Sequence, residues 1–252
     1  MFRQRPTVIG HRGNGAGQVG GHRENTLESF AAALDAGTAW VELDVRRTAD
    51  DHLAVVHNPA DPDGAYVVER SMAELAAVGV PSLRQVLDML PTHVGLDVDL
   101  KSSLEDAVLP PERSTAALVA PILDLERHRR ELLVTSFDPA ALLLLRERAP
   151  QIPLGLLTWF TFPLHMAVAA AAHLGVEVIA AQVGSFRPDG QTARHRGGAH
   201  AIDVAHEAGL EVIAWCPTPA EATELVHAGV DALVVDRVVG EAESPGRPGL
   251  PT

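Results

Sequence analysis

The stretch "WVELDVRRTADDHLAVVHN", residues 40–58, decides how the chain folds. In its first half Val41, Leu43 and Val45 alternate with Glu42 and Asp44. Successive side chains of a strand point to opposite faces, so both carboxylates point the same way. If that way is into a core, two negative charges share a small volume. Each is costly there unless something positive lies between them.

Outward from this strand the same alternation of strand-like and helix-like stretches runs from end to end. "TVIGHRG" precedes "TLESFAAALDAG", "WVELDVRR" precedes "SLRQVLDML", and "HVGLDVDLK" precedes "STAALVAPILDLERHR". "LLVTSFD", "IPLGLLTW", "VEVIAAQV" and "EVIAWC" are each followed by a helical pattern, and "DALVVD" closes the series. With "LAVVHN" counted as an extension of the second strand, the chain makes eight βα units, with glycine stops at Gly37, Gly175, Gly209 and Gly229. The expected fold is α/β, a (β/α)8 TIM barrel in a single domain over residues 1–240; an open doubly wound sheet is the competitor. The Pro- and Gly-rich end, residues 241–252, is expected to be a disordered tail.

The 252 residues suit one domain of this kind, since α/β barrels run to about 250 residues. The single cysteine, Cys216, excludes an internal disulfide, and "MFRQRPTVIG" has no apolar signal core, so a reducing cytoplasm is the expected location. The longest apolar run is broken by Asp138 and Pro139, which argues against a spanning helix and against stable membrane association. A net charge of −13 disfavours nucleic-acid and anionic-membrane partners. An anionic substrate would have to be met by a local positive site.

In a parallel barrel the active site lies at the carboxyl ends of the strands, and parity collects the residues there. His11 ends the first strand in "GHRG", where Gly10 and Gly13 permit close backbone approach. Glu42 and Asp44 share a face in the second strand, Leu53, Val55 and His57 in its extension, and Asp97, Asp99 and Lys101 in the third. A lone Glu-x-Asp reads first as a structural ion-pair network with Arg46, Arg47 or Lys101. In company with two histidines and two further carboxylates it reads as a site for a hard divalent cation, because all-oxygen ligands select Mg²⁺, Ca²⁺ or Mn²⁺ over zinc. His11 and His57 suit general acid and base work near neutrality, and Arg12 and Lys101 can hold a phosphate. Metal, histidines and basic groups together point to phosphoryl transfer.

Two other stretches read structurally. Asn25, with Glu28 three residues on, looks like an N-cap starting the first helix, and Glu24 faces either the site or merely the loop, the loop being the first reading. Arg187, Arg194, His195 and Arg196 lie in a long connection after the sixth strand that reads as a solvated loop, with a substrate lid as the alternative.

With these residues in hand, the chain resembles the glycerophosphodiester phosphodiesterase family. The blocks "HRG" (11–13), "ENT" (24–26), "VELDVRRTADDHLAVVH" (41–57), "VPSLRQVL" (80–87), "DLK" (99–101), "SFD" (136–138), "AWC" (214–216) and "GVDALVVD" (229–236) fall in the family's order. The resemblance implies a TIM barrel that hydrolyses small-molecule glycerophosphodiesters to glycerol 3-phosphate and an alcohol with one divalent cation, Mg²⁺ or Ca²⁺, with Mn²⁺ also admissible. It implies His11 and His57 as the acid/base pair, Glu42, Asp44 and Asp99 as metal ligands, and Arg12, Lys101 and Trp215 as substrate contacts. Asp99 stands where the family has Glu, Asn58 where it has Asp and Val235 where it has Thr; the segment between His57 and Pro81 is short. Asp97, on the same face as Asp99, could compensate for the shorter ligand. The rival readings are a phospholipase D resembling the sphingomyelinase D group, which needs an apolar rim, and a barrel that binds a phosphodiester without turning it over.

Overall fold

The structure is a computed structural model that describes residues 1–61, 63–187 and 197–238. The barrel strands are β1 (Thr7–Gly10), β4 (Trp40–Arg47), β6 (Gly95–Leu100), β7 (Leu132–Ser136), β8 (Leu154–Thr158), β9 (Val178–Gln182), β10 (Glu211–Trp215) and β11 (Ala232–Val235). Each pairs in parallel with its neighbours in chain order, and β1 pairs with both β11 and β4. That last pairing closes the sheet into a cylinder and excludes the open doubly wound alternative. A two-stranded ribbon, β2 (Gln18–Val19) and β3 (His22–Arg23), follows β1.

The helices are α1 (Leu27–Asp35), α2 (Met72–Ala77), α3 (Leu83–Met89), α4 (Thr115–Glu126), α5 (Pro139–Arg148), α6 (Leu164–Leu174), α7 (Gly198–Glu207) and α8 (Pro219–Ala228). Gly175 and Gly229 cap α6 and α8 in the left-handed conformation, where glycine carries no steric penalty. The expected one-helix-per-strand count needs correction. Two helices, α2 and α3, lie between β4 and β6, and none follows β11 among the described residues. The tail expected at 241–252 lies outside the described residues, as do Arg194, His195 and Arg196.

A second correction concerns "LAVVHN". It does not extend β4 but turns back as β5 (Leu53–Val55), antiparallel to it, with Val45 opposite Val55 and Arg47 opposite Leu53. Asp51, at φ 58°, makes the reversal, with its N–H donating to the Thr48 carbonyl at 3.2 Å. Apolar alternation in a short run cannot distinguish a strand that continues from one that returns, which is why the pattern misleads here. The return brings His57 back over the carboxyl end of β4, where the Val56 N–H donates to the Asp44 carbonyl at 3.0 Å.

Two apolar layers hold the cylinder. Leu43, Val45, Leu96, Val98 and Leu100 face outward into a continuous core shared with Phe30, Leu87 and Leu123 on the helices. Ile9, Trp40, Leu133, Val178, Ile213 and Val234 fill the barrel interior, and the Phe2 ring meets Trp40 edge-on at 5.3 Å. The same parity that sends Leu43 outward sends Glu42 and Asp44 inward. In register they lie beside Asp97 and Asp99, and Asp99 lies beside Thr135. The apolar filling thus occupies the amino end of the barrel and a carboxylate layer lies above it.

Candidate active site

The groups singled out from the sequence converge at the carboxyl end of the barrel. Glu42, Asp44 and Asp99 are all buried, and each offers an oxygen within 4.8 Å of the others'. Lys101, which continues β6, stands between two of them: its Nζ lies 2.9 Å from Asp44 Oδ1 and pairs with Asp99 Oδ2. Arg12 closes another side, with its backbone N–H donating to Glu42 Oε2 at 2.8 Å and its Nε 3.5 Å from Asp44 Oδ2. Arg46 and Arg47 point elsewhere, Arg46 donating to the His57 carbonyl at 2.9 and 2.8 Å and Arg47 pairing with Asp106 at 3.4 Å. Of the cations considered for a structural network, only Lys101 enters the cluster.

Electrostatics separates the carboxylates. Burial drives Glu42 well above the ordinary range, and the neighbouring Asp44, Asp99 and Asp97 add to the effect. Burial likewise raises Asp97 to about 8, opposed by the Thr135 hydroxyl that donates to its Oδ1 at 2.9 Å, and raises Asp99 to about 7 against the pull of Lys101. Burial also pushes Asp44 upward, but Lys101, His57 and Arg12, with a hydrogen bond from Asn25, overcome it and hold Asp44 at about 2. Two fixed cations therefore leave Glu42 and Asp99 short of positive charge. Oδ1 of Asp99 is buried without a hydrogen-bond partner among the described residues. An all-oxygen trio with an unused ligand atom has the chemistry of a site for a hard divalent cation, and Glu42, Asp44 and Asp99 are the residues that could hold one.

The histidines flank this trio in different surroundings. His11 Nε2 is 3.9 Å from Glu42 Oε2, while its Nδ1 is 2.6 Å from Asp236 Oδ1, just past the end of β11. The bond from His11 lowers Asp236, which fixes the proton on Nδ1 and leaves Nε2 free toward the cluster. Cys216 Sγ is 3.5 Å from both groups; burial, reinforced by Asp236, raises its thiol and keeps it protonated. His57 Nδ1 lies 3.0 Å from Asn58 Oδ1, a neutral partner, and burial lowers its pKa against the pull of Asp44.

Asn25 requires correction, and Glu24 takes the site-facing one of its two readings. The N-cap of α1 is Thr26, whose hydroxyl accepts from the Ser29 N–H at 3.2 Å. Asn25 sits one residue earlier at φ 55°, donating to Asp44 Oδ2 at 2.7 Å and accepting from the Asp44 N–H at 3.3 Å. Glu24 accepts from Arg12 Nη1 at 3.0 and 2.9 Å and orients the guanidinium. Both face the site rather than merely starting a helix. Arg187, in the connection after β9, donates to Glu221 on α8 at 2.8 Å.

Backbone strain concentrates at the same end. Arg12, Asn25 and Cys216 are non-glycine residues at φ 53°, 55° and 57°. They are held there by the Asn25 N–H to the Arg12 carbonyl at 2.9 Å and the Cys216 N–H to the Val234 carbonyl at 2.8 Å. The first turn needs its glycines: a Cβ on Gly10 would lie 2.2 Å from the Gly13 oxygen, and Gly13, at φ 95°, would meet the Ser29 hydroxyl at 2.6 Å. Asp236 and Asn25 are the site residues that sequence reasoning missed. The signal for Asp236 was its place at the end of the last strand, the position that singled out His11 on the first.

The chain is similar to known proteins along nearly its whole length. The model of the glycerophosphoryl diester phosphodiesterase family matches residues 11–239. A glycerophosphodiester phosphodiesterase of Caldanaerobacter subterraneus is 27% identical over 66% of this chain and 73% of its own. Among solved structures, a glycerophosphoryl diester phosphodiesterase of Silicibacter pomeroyi aligns over 94% of this chain and 92% of its own, with 26% identity and a TM-score of 0.75. An Oleispira antarctica phosphodiesterase in complex with the product sn-glycerol-3-phosphate shares the fold at 22% identity and a TM-score of 0.74, covering 92% and 94% of the two chains. A closed barrel with this constellation at its carboxyl end, matched from His11 to residue 239, belongs to the glycerophosphoryl diester phosphodiesterase family.

Proposed function

We propose that the protein hydrolyses glycerophosphodiesters to glycerol 3-phosphate and an alcohol, with a hard divalent cation held by Glu42, Asp44 and Asp99. The observation that carries this reading is His11: its Nε2 lies 3.9 Å from Glu42 while Asp236 fixes its other nitrogen, so a proton carrier is aimed at the carboxylate trio. The relatives' names support the substrate class, and the Oleispira product complex supports the product.

The cation, when bound, would neutralise phosphoryl charge and make a coordinated hydroxyl more acidic. Lys101 and Arg12 orient the phosphate from two sides, and Trp215 contacts the substrate at the end of β10. His57 is neutral near pH 7 because burial disfavours its charged form, and it removes the proton from the glycerol 2-hydroxyl as that oxygen attacks phosphorus. The bond from phosphorus to the other alcohol breaks, and His11, entering this step as the imidazolium with Nδ1–H on Asp236 and a second proton on Nε2, gives that second proton to the departing oxygen. Water then opens the cyclic phosphate with the two histidines exchanging roles. Phosphorus NMR of a reaction with glycerophosphocholine tests the reading: glycerol 3-phosphate is expected, and phosphocholine, or no turnover with any added divalent cation, would overturn it.

A further inference from the structure

The carboxyl end of the barrel is divided by Lys101 into a polar side and an apolar one. The segments after β1 and β5 carry Arg12, Glu24, His57 and Asn58. The segments after β7 and β8, with the end of β10, carry aromatic rings in an unbroken chain of contacts. Lys101 Nζ lies 5.6 Å from the centre of the Phe137 ring, and Phe137 meets Trp215 edge-on at 6.0 Å. Trp215 lies 5.0 Å from Trp159, and Trp159 lies 5.5 Å from Phe160.

Phe137, Trp159 and Phe160 are 44%, 47% and 52% exposed. Single exposed apolar residues need no explanation, but a contiguous aromatic patch marks a binding surface. This patch begins at the lysine that would hold the phosphate, so its natural occupant is part of the same molecule. An anionic bilayer is a poor occupant for a chain of net charge −13. Nε1 of Trp215 is buried without a hydrogen-bond partner among the described residues, a donor left for an oxygen of whatever binds.

A glycerophosphodiester has two arms on its phosphorus. The glycerol arm carries free hydroxyls that need hydrogen-bonding partners when enclosed, and those lie on the polar side. Resting on the phosphodiesterase reading above, we propose that the wall formed by Phe137, Trp215, Trp159 and Phe160 is the subsite for the departing alcohol. It selects diesters of apolar alcohols, such as medium alkyl chains, over those of small polar ones.

The test is a series of glycerophospho-alkyl esters, ethyl, butyl and hexyl, whose leaving oxygens are alike in acidity, measured beside glycerophosphocholine. In the wild type kcat/KM is expected to rise about 10-fold from ethyl to hexyl, the gain of about one fully enclosed methylene, because a half-exposed wall covers only part of the chain. Trp159→Ala and Phe160→Ala are each expected to flatten that rise, with the change carried in KM. Leu125→Ser, on the outer face of α4, is expected to leave it intact. A series that is turned over but flat in the wild type, or equally steep in both aromatic variants, would overturn the subsite while leaving the phosphodiesterase reading in place. Failure to turn over any ester, glycerophosphocholine included, would remove both. If 1-acyl-glycerophosphocholine responds to Trp159→Ala and the alkyl series does not, the wall serves the glycerol arm, and the assignment to the alcohol is wrong.

Discussion

His11 and Asp236 stand 225 residues apart in sequence and 2.6 Å apart in space, because β1 and β11 are adjacent in the closed barrel. The carboxylate fixes which nitrogen of the ring carries a proton and which faces Glu42. Asp236→Asn keeps the shape but can stabilise the wrong tautomer. It is expected to lower kcat about 10- to 100-fold, as loss of an orienting partner does, with KM little changed. Steady-state kinetics on glycerophosphocholine checks this, and an unaltered kcat would remove Asp236 from the site.

Proton transfer and metal binding are separable by substitution. His57→Asn is expected to lower kcat by about 10²–10⁴-fold while metal affinity stays nearly constant. Asp44→Asn takes a negative charge from the cation and is expected to weaken metal binding first, with part of the rate recovered at high metal concentration. Isothermal titration with the metal beside turnover measurements distinguishes them. Loss of metal binding in His57→Asn would reverse the assignment.

Stability of the metal-free protein is expected to fall as pH rises. Burial holds Asp97 at about 8, Asp99 at about 7 and Glu42 well above its usual value. The folded chain therefore binds more protons than the unfolded one above about pH 4, where model carboxylates ionise. That contribution is complete below about pH 4 and is lost as pH rises through the folded values. Asp44, at about 2, works oppositely and loses its contribution only as pH falls toward that value. In calorimetry after chelation, Tm is expected to decline from about pH 5 to about pH 8, added Mg²⁺ to offset the decline, and Asp97→Asn to flatten it. A Tm that rises over that interval would contradict the arrangement.

Much of the site was legible because strand parity is a strong constraint: once Leu43 and Val98 face the helices, Glu42, Asp44, Asp97 and Asp99 must face inward. What parity cannot say is which charge meets which. Lys101 shares the inward face, yet only coordinates show it between Asp44 and Asp99. His57 was found for a partly mistaken reason, since an antiparallel return and a straight continuation have the same alternation. Asn25 was read as a cap because its side chain can cap, but the neighbouring Thr26 takes that role and frees it for Asp44. Of the aromatic wall only Trp215 was legible, and that through the family resemblance. Phe137 and Trp159 follow β7 and β8 while Trp215 ends β10, and no periodicity links them.

The most direct test of the whole arrangement is release of glycerol 3-phosphate from glycerophosphocholine by chelator-treated protein as Mg²⁺, Ca²⁺ or Mn²⁺ is restored stepwise. Activity is expected to be absent at the start, to return with a hard divalent cation and saturate, and to return at a higher concentration in Asp44→Asn. Full activity in the metal-free protein would contradict the assignment of Glu42, Asp44 and Asp99.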